Sequence, residues 1–378
     1  MKRLFKPLPA LLACMTLLAA APSACADDLS SGLAADMKAP VQAADADSRG
    51  WLEKAASAGL AQAQLALGAM YYHGQLVSKD HAKARYWFEK AAGQGDMQAQ
   101  FNMGLMCHKG QGGPQDYAKA RYWFGKAAGQ GDMQAQFNMG LMCQEGQGGP
   151  QDLAQARRWY EKAARQGQPD AQINLGWLWS KGQGGPQDYA QARHWYGKAA
   201  EKGLAKAQFY LGLMNQEGWG APQDFQAARR WYGLAAAQGH ALAQLRLGDL
   251  NAEGQGGPQD DAQARRWYEK AARQGDAEAQ NQLGALHHEG RGGPQDFAQA
   301  RRWFEKAAAQ GDAQAQYNLG LMHAQGHGVP QNFAEARRWY EKAAAQGYAQ
   351  AQRNLGALLV KGQGDPQDLT QARRWFEK

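Results

Sequence analysis

A tryptophan recurs every 36 residues along almost the whole chain, at Trp51, Trp87, Trp123, Trp159, Trp195, Trp231, Trp267, Trp303, Trp339 and Trp375. The period holds across every interval with no insertion or deletion. A fixed spacing of this size is the signature of stacked supersecondary units, each burying its apolar face only against its neighbours. A chain of 378 residues would otherwise divide into two or three compact domains. The period argues instead for one elongated domain, and it points function towards binding rather than catalysis.

Residues 276–311 show what one unit contains. Asp276 is placed to cap a first helix running to about Glu289. Gly290 then supplies a left-handed residue, and Gly292, Gly293 and Pro294 prevent continuation. Asp296 caps a second helix, which Gln310-Gly311 ends. The spacing predicts antiparallel helix pairs with short loops, close to twenty helices in all. In the second helix Phe297, Ala300, Phe304, Ala307 and Ala308 share one face, Trp303 sits on its flank, and Arg302 and Lys306 point to solvent. In the first helix Ala279, Leu283, Leu286 and Gly290 form the inward stripe. Gly284 lies inside that helix, and its counterparts hold the same place in every copy from Gly68 to Gly356. A mid-helix glycine costs about 1 kcal/mol relative to alanine. Repeating that cost makes sense only if the helices approach too closely for a side chain.

The run Ala279-Gln280, Leu283-Gly284, Gly290, Asp296, Ala300-Arg301, Trp303-Phe304, Lys306-Ala307-Ala308 and Gln310-Gly311 resembles the Sel-1-like repeat (SLR), a relative of the tetratricopeptide repeat. The resemblance extends over residues 43–378. It implies an all-α fold, an α/α solenoid wound as a right-handed superhelix of about nine 36-residue Sel-1-like, TPR-like helix pairs. The repeats are expected at 60–95, 96–131, 132–167, 168–203, 204–239, 240–275, 276–311, 312–347 and 348–378. Most copies carry Gly-Gly-Pro where the family often has Gly-Val, as in Gly328-Val329-Pro330. A disulfide-rich branch pairs cysteines within each repeat. This chain lacks those pairs, so that branch's properties do not transfer.

The first 26 residues stand outside the pattern. Lys2, Arg3 and Lys6 precede an apolar stretch over residues 8–21, and Ala24-Cys25-Ala26 precedes Asp27. That order is expected of a secretory signal cleaved after Ala26, with residues 27–42 as a linker. Lipidation at Cys25 ranks lower, because Pro22-Ser23-Ala24 is a poor lipoprotein box. The expected location is periplasmic or secreted, with no membrane span after signal removal. The formal net charge of +7 includes those three basic residues. The remaining mild excess has no clustered patch, so no nucleic-acid partner is expected. Cys107 and Cys143 fall 36 residues apart at one site in adjacent repeats. Stacked helices are about 8–10 Å apart, whereas a disulfide needs Cα atoms within about 7 Å, which favours two small buried thiols, with a bridge the alternative in an oxidising compartment. At the other end the chain stops three residues after Trp375, and fraying is expected from about Asp368.

Variation among the copies sorts by helical angle. The variable positions of the first helices gather on one arc opposite the core stripe. The resemblance implies that this arc lines the concave side. Along it stand Phe101, Leu105, Phe137, Leu141, Ile173, Trp177, Phe209 and Leu213, followed by Arg246, Asp249, Asn281 and Arg353. An apolar groove leading to a polar one suits an extended peptide or a partner helix. The alternative for the aromatics is packing between adjacent repeats. Trp177 departs most from the residues common at its site. A ladder of Asn102, Asn138, Asn174, Asn318 and Asn354 offers amide donors and acceptors, either to a ligand or between repeats.

No catalytic residues and no cofactor are expected. His287-His288-Glu289 lacks the second histidine of a zinc-protease helix, since Gly292 stands there, and His323 and His327 come only in the next repeat. No metal site is therefore read from spacing. The glycine-rich loops lack the Lys-Ser/Thr of a phosphate loop and serve as helix stops. The Arg157-Arg158, Arg265-Arg266 and Arg301-Arg302 pairs are each expected to combine a flank salt bridge with a solvated side chain. These features point to an extracytoplasmic adaptor or scaffold holding a protein or peptide. The alternative is a cell-envelope glycan or peptidoglycan-fragment binder, recognised through Asn174 and Asn318. An envelope hydrolase such as a β-lactamase-like enzyme ranks last.

Overall fold

The computed structural model describes residues 46–364 and 366–377, so the expected signal and linker lie outside the described residues. Among the described residues there are nineteen helices and no strand. They are α1 (Ala46–Ser57), α2 (Ala61–His73), α3 (His81–Gly93), α4 (Met97–Lys109), α5 (Tyr117–Gly129), α6 (Met133–Glu145), α7 (Leu153–Arg165), α8 (Pro169–Lys181), α9 (Tyr189–Glu201) and α10 (Ala205–Glu217). The series continues with α11 (Phe225–Ala237), α12 (Ala241–Glu253), α13 (Asp261–Arg273), α14 (Ala277–Glu289), α15 (Phe297–Ala309), α16 (Ala313–Gln325), α17 (Phe333–Ala345), α18 (Ala349–Lys361) and α19 (Leu369–Phe376). The even-numbered members are the first helices of the repeats, termed A helices, and the odd-numbered ones are B helices. The chain is an all-α solenoid.

Helix boundaries follow the expected chemistry. Asp276 accepts from the Ala279 amide at 2.8 Å, Asp296 accepts from the Gln299 amide at 2.9 Å, and Gly290 adopts φ 70°. Some A helices lack the acid. Leu60, Leu204 and Tyr348 provide no side-chain cap, and His240 caps α12 by accepting from the Ala243 amide at 3.2 Å.

The recurrent mid-helix glycine has a direct cause. A Cβ built on Gly104, Gly140, Gly212, Gly248, Gly284 or Gly320 would sit 2.5–2.6 Å from a ring carbon of Phe124, Tyr160, Tyr232, Tyr268, Phe304 or Tyr340. In these six repeats the aromatic that follows the ladder tryptophan thus lies against the A-helix backbone of its own repeat. These rings are buried, and burying each contributes about 1.5–3 kcal/mol. That gain exceeds the propensity cost of the glycine.

Two compact units divide within α9, between Trp195 and Tyr196. In the first, Ala84, Phe88, Met103, Met106, Phe124 and Met142 form a continuous core, and Tyr160, Leu175 and Leu178 another. In the second, Tyr232, Leu247 and Leu250 pack together, as do Tyr268, Leu283 and Leu286, and Tyr340, Leu355 and Leu359. No described helix is long and apolar enough to cross a membrane.

Candidate functional site

In the first unit, α4 and α6 place Phe101, Leu105, Phe137 and Leu141 half-buried on the A-helix face. Phe101 tilts against Phe124 and Phe137 against Tyr160, each with centroids 5.8 Å apart. These rings therefore extend the core outwards while leaving an edge accessible. Trp177 of α8 is also half-buried and packs against the core around Tyr160. Leu213 is half-buried on α10 in the second unit. Three other positions need correction. Ile173, Phe209 and Asn281 are 3%, 9% and 2% exposed, so they belong to the packed interior and offer a partner little surface. Phe209 is covered by Tyr232 at 5.8 Å and by the stacked His240 ring at 4.8 Å.

Further along the second unit this face becomes ionic. Arg246 pairs with Asp249 at 3.0 Å and with Glu278 at 3.3 Å, while the Tyr268 hydroxyl donates to Asp249 at 2.8 Å. Burial raises the Asp249 carboxyl above the usual carboxylate range, outweighing the Tyr268 hydrogen bond and the Arg246 charge. Arg353 is exposed. The asparagines are drawn into the scaffold. Asn174 bonds the Tyr160 hydroxyl, and Asn138 donates to the Gln134 carbonyl at 2.8 Å. Asn102 accepts from Gln98 at 3.4 Å. Asn318 donates to Asn281 at 2.9 Å and Asn354 to the Tyr317 hydroxyl at 3.4 Å, both across repeats.

The B helices carry the tryptophan ladder, and four of its members are sheltered by lysine. Lys162, Lys270, Lys306 and Lys342 hold their ammonium groups 4.0–4.3 Å from the ring centroids of Trp159, Trp267, Trp303 and Trp339. Lys306 thus arches from the solvent side over the buried Trp303 indole, a cation–π contact worth about 0.5–1 kcal/mol.

Two further ladders escaped the sequence reading. A glutamine recurs buried in the A helices. Gln100 donates to the Ala92 carbonyl of the preceding B helix at 3.2 Å and accepts from Gln130 at 2.7 Å. Gln244 repeats this with Ala236 at 3.1 Å and Gln274 at 2.8 Å. Its signal was the constant Ala-Gln at an inward angle. The second ladder corrects the expected flank salt bridges. In several repeats the first arginine of the B helix reaches into the next repeat and meets a residue 22 positions on, which need not be acidic. Arg85 and Arg121 lie 3.4 Å from the Cys107 and Cys143 sulfurs. Arg157 stacks on the Trp179 ring and Arg265 donates to His287 at 2.6 Å. Arg301 does pair in part as expected, lying 3.4 Å from Glu305. Cys107 and Cys143 are buried free thiols, and burial pushes both above the ordinary thiol value. Among the described residues no three His, Cys, Asp or Glu side chains converge as metal ligands.

This architecture is matched by the Sel1 repeat family model over residues 45–60, 61–96, 98–132, 134–168, 169–204, 205–240, 241–276, 277–312, 313–348 and 349–378. The chain belongs to the Sel1 repeat family. The match gives ten repeats where about nine were expected, because α1 is the B-helix half of an additional one. Among solved structures the chain is similar to c5321, described as a protective antigen present in uropathogenic Escherichia coli strains displaying an SLR fold. Identity is 35%, coverage 87% of this chain and 78% of that one, and the TM-score 0.67. It is likewise similar to a Sel1 repeat protein from Oxalobacter formigenes, at 36% identity over 84% of this chain and 92% of that one, with a TM-score of 0.67. The comparison with curated proteins gave no significant match.

Proposed function

We propose that the chain is a non-catalytic adaptor acting in the periplasm or outside the cell, holding a protein or peptide on its A-helix face. One observation carries this reading. Phe101, Leu105, Phe137, Leu141 and Trp177 keep half-buried apolar edges at matching registers of successive A helices in the first unit. Elsewhere on these helices the framework positions are occupied by near-constant residues that serve packing. Apolar edges rimmed by amides form the kind of surface on which a partner's aliphatic side chains bury area without meeting an unpaired charge. Membership of a repeat family supports a binding role. The basic and apolar opening of the chain supports export.

The test places a photo-crosslinking residue at position 141 or 177, with position 122 as control. Tyr122 is 55% exposed on α5, a B helix of the same unit. Capture of one partner from 141 and 177 but not from 122, with capture from 141 lost in a Phe137→Ala/Trp177→Ala variant, supports the reading. Equal capture from all three positions, or capture that survives the double substitution, sinks it. N-terminal sequencing of the exported chain should begin at Asp27.

A further inference from the structure

His288 is near the C-terminus of α14, and His327 lies in the loop after α16, one repeat further on. Their nitrogens meet: His288 Nε2 is 3.1 Å from His327 Nδ1, with ring centroids 5.2 Å apart. Phe297, the first residue of α15, stacks on His327 at 4.8 Å and meets His288 edge-on at 5.1 Å. One aromatic wall thus fixes both rings, and both histidines are half-buried.

The same register is filled differently elsewhere. Tyr72 donates to Gln111 at 3.0 Å, and His108 Nε2 meets Gln147 at 2.9 Å. In those pairs one partner is a side-chain amide, a poor ligand for soft or borderline cations. Only in the pair formed by His288 and His327, among these three, do both partners offer an imidazole nitrogen.

We propose that His288 Nε2 and His327 Nδ1 together hold a late first-row divalent cation, with solvent completing its coordination. Two nitrogens at about 2.0–2.1 Å from one metal stand roughly 2.9 Å apart at a right angle and about 3.4 Å apart at a tetrahedral angle. The observed 3.1 Å falls between these limits. The proton of the present hydrogen bond moves to the other nitrogen of the same ring, so both imidazoles stay neutral and no proton is released. With two protein ligands the affinity order is Cu(II) above Ni(II) and Zn(II). Because the ligands belong to adjacent repeats, the metal clamps one helix pair to the next. Spacing within one helix could not show this site, since the stacking of repeats closes the gap of 39 residues.

The test titrates the full chain with Cu(II) and Zn(II), following stoichiometry, thermal midpoint and the nitrogen hyperfine pattern of bound Cu(II). His327→Gln is the informative variant, because it recreates the His–Gln pair already present at His108 and Gln147 and so keeps the fold. One equivalent of Cu(II) showing two imidazole nitrogens, and a raised midpoint, is expected for the native chain. His327→Gln and His288→Gln should each weaken binding by about tenfold or more, remove the two-nitrogen pattern and abolish the thermal gain. Absence of binding to the native chain overturns the proposal. So does binding that is unchanged in both variants.

Discussion

Gly212→Ala and Gly233→Ala form a paired experiment in which the same substitution has opposite effects one helix apart. A Cβ at Gly212 would lie 2.5 Å from Cδ1 and 2.6 Å from Cε1 of Tyr232, whereas nothing lies within 4 Å of a Cβ at Gly233. Ordinary carbon contacts are about 3.5–4.0 Å, so the Tyr232 ring must retreat by about 1 Å. It has no room, being fully buried, and its hydroxyl donates to Gln216 at 2.9 Å. Overpacking costs about 1–3 kcal/mol and loss of the hydrogen bond about 1 kcal/mol, against a propensity gain of about 1 kcal/mol. Gly212→Ala is therefore expected to destabilise by about 1–3 kcal/mol, while Gly233→Ala stabilises by about 0.5–1 kcal/mol. Stacked repeats unfold in stages, so hydrogen exchange at the amides of α10 and α11 is the appropriate assay, with urea unfolding alongside. In a Tyr232→Ala background the Gly212 substitution should become favourable, and the difference gives the coupling energy. A Gly212→Ala chain as stable as the native one would refute the argument that close ring packing holds this glycine in place.

Two other outcomes follow from buried polar groups. Gln244→Leu leaves the Ala236 carbonyl and the Gln274 amide without the partners they have at 3.1 and 2.8 Å, and should cost about 1–3 kcal/mol in chemical denaturation. A change within error would mean that water replaces the glutamine. His240 caps α12 through an unprotonated nitrogen, and burial, followed by Lys206, lowers its pKa. The unfolded chain binds the proton more readily, so this contribution is complete above about pH 6.5 and is lost as the pH falls below it. Denaturation midpoints compared at about pH 7.5 and about pH 5.5 should drop less for His240→Asn, which caps without titrating. Equal slopes for both chains would remove His240 from the account.

Most of the architecture was legible because its determinants repeat and act locally. Asp276, Asp296 and Gly290 mark helix ends through bonds to their own backbone, and Gly284 announced a close approach by its unfavourable position. The candidate face was legible only in outline. An isolated helical wheel places Ile173 and Phe209 with Phe101 on the open arc, yet the packing covers Phe209 with Tyr232 and His240, and Ile173 too is buried. The arginine ladder was hidden for a related reason. What Arg265 meets depends on His287 in the next repeat, and what Arg85 meets depends on Cys107. No spacing rule within one unit contains that information. The buried glutamines were visible as a constant letter, but their role required knowing which carbonyls lay opposite.

Those glutamines bear on how such a chain changes over generations. Gln100, Gln136, Gln244 and Gln280 each reach back to a main-chain oxygen of the unit before, at Ala92, Ala128, Ala236 and Ala272. A main-chain acceptor is present whatever residue occupies that position. The joint between units is thus indifferent to the identity of its neighbour, and any copy can seat on any other. Duplication, deletion or shuffling of whole 36-residue modules leaves this seam intact, while the outward positions remain free to diverge.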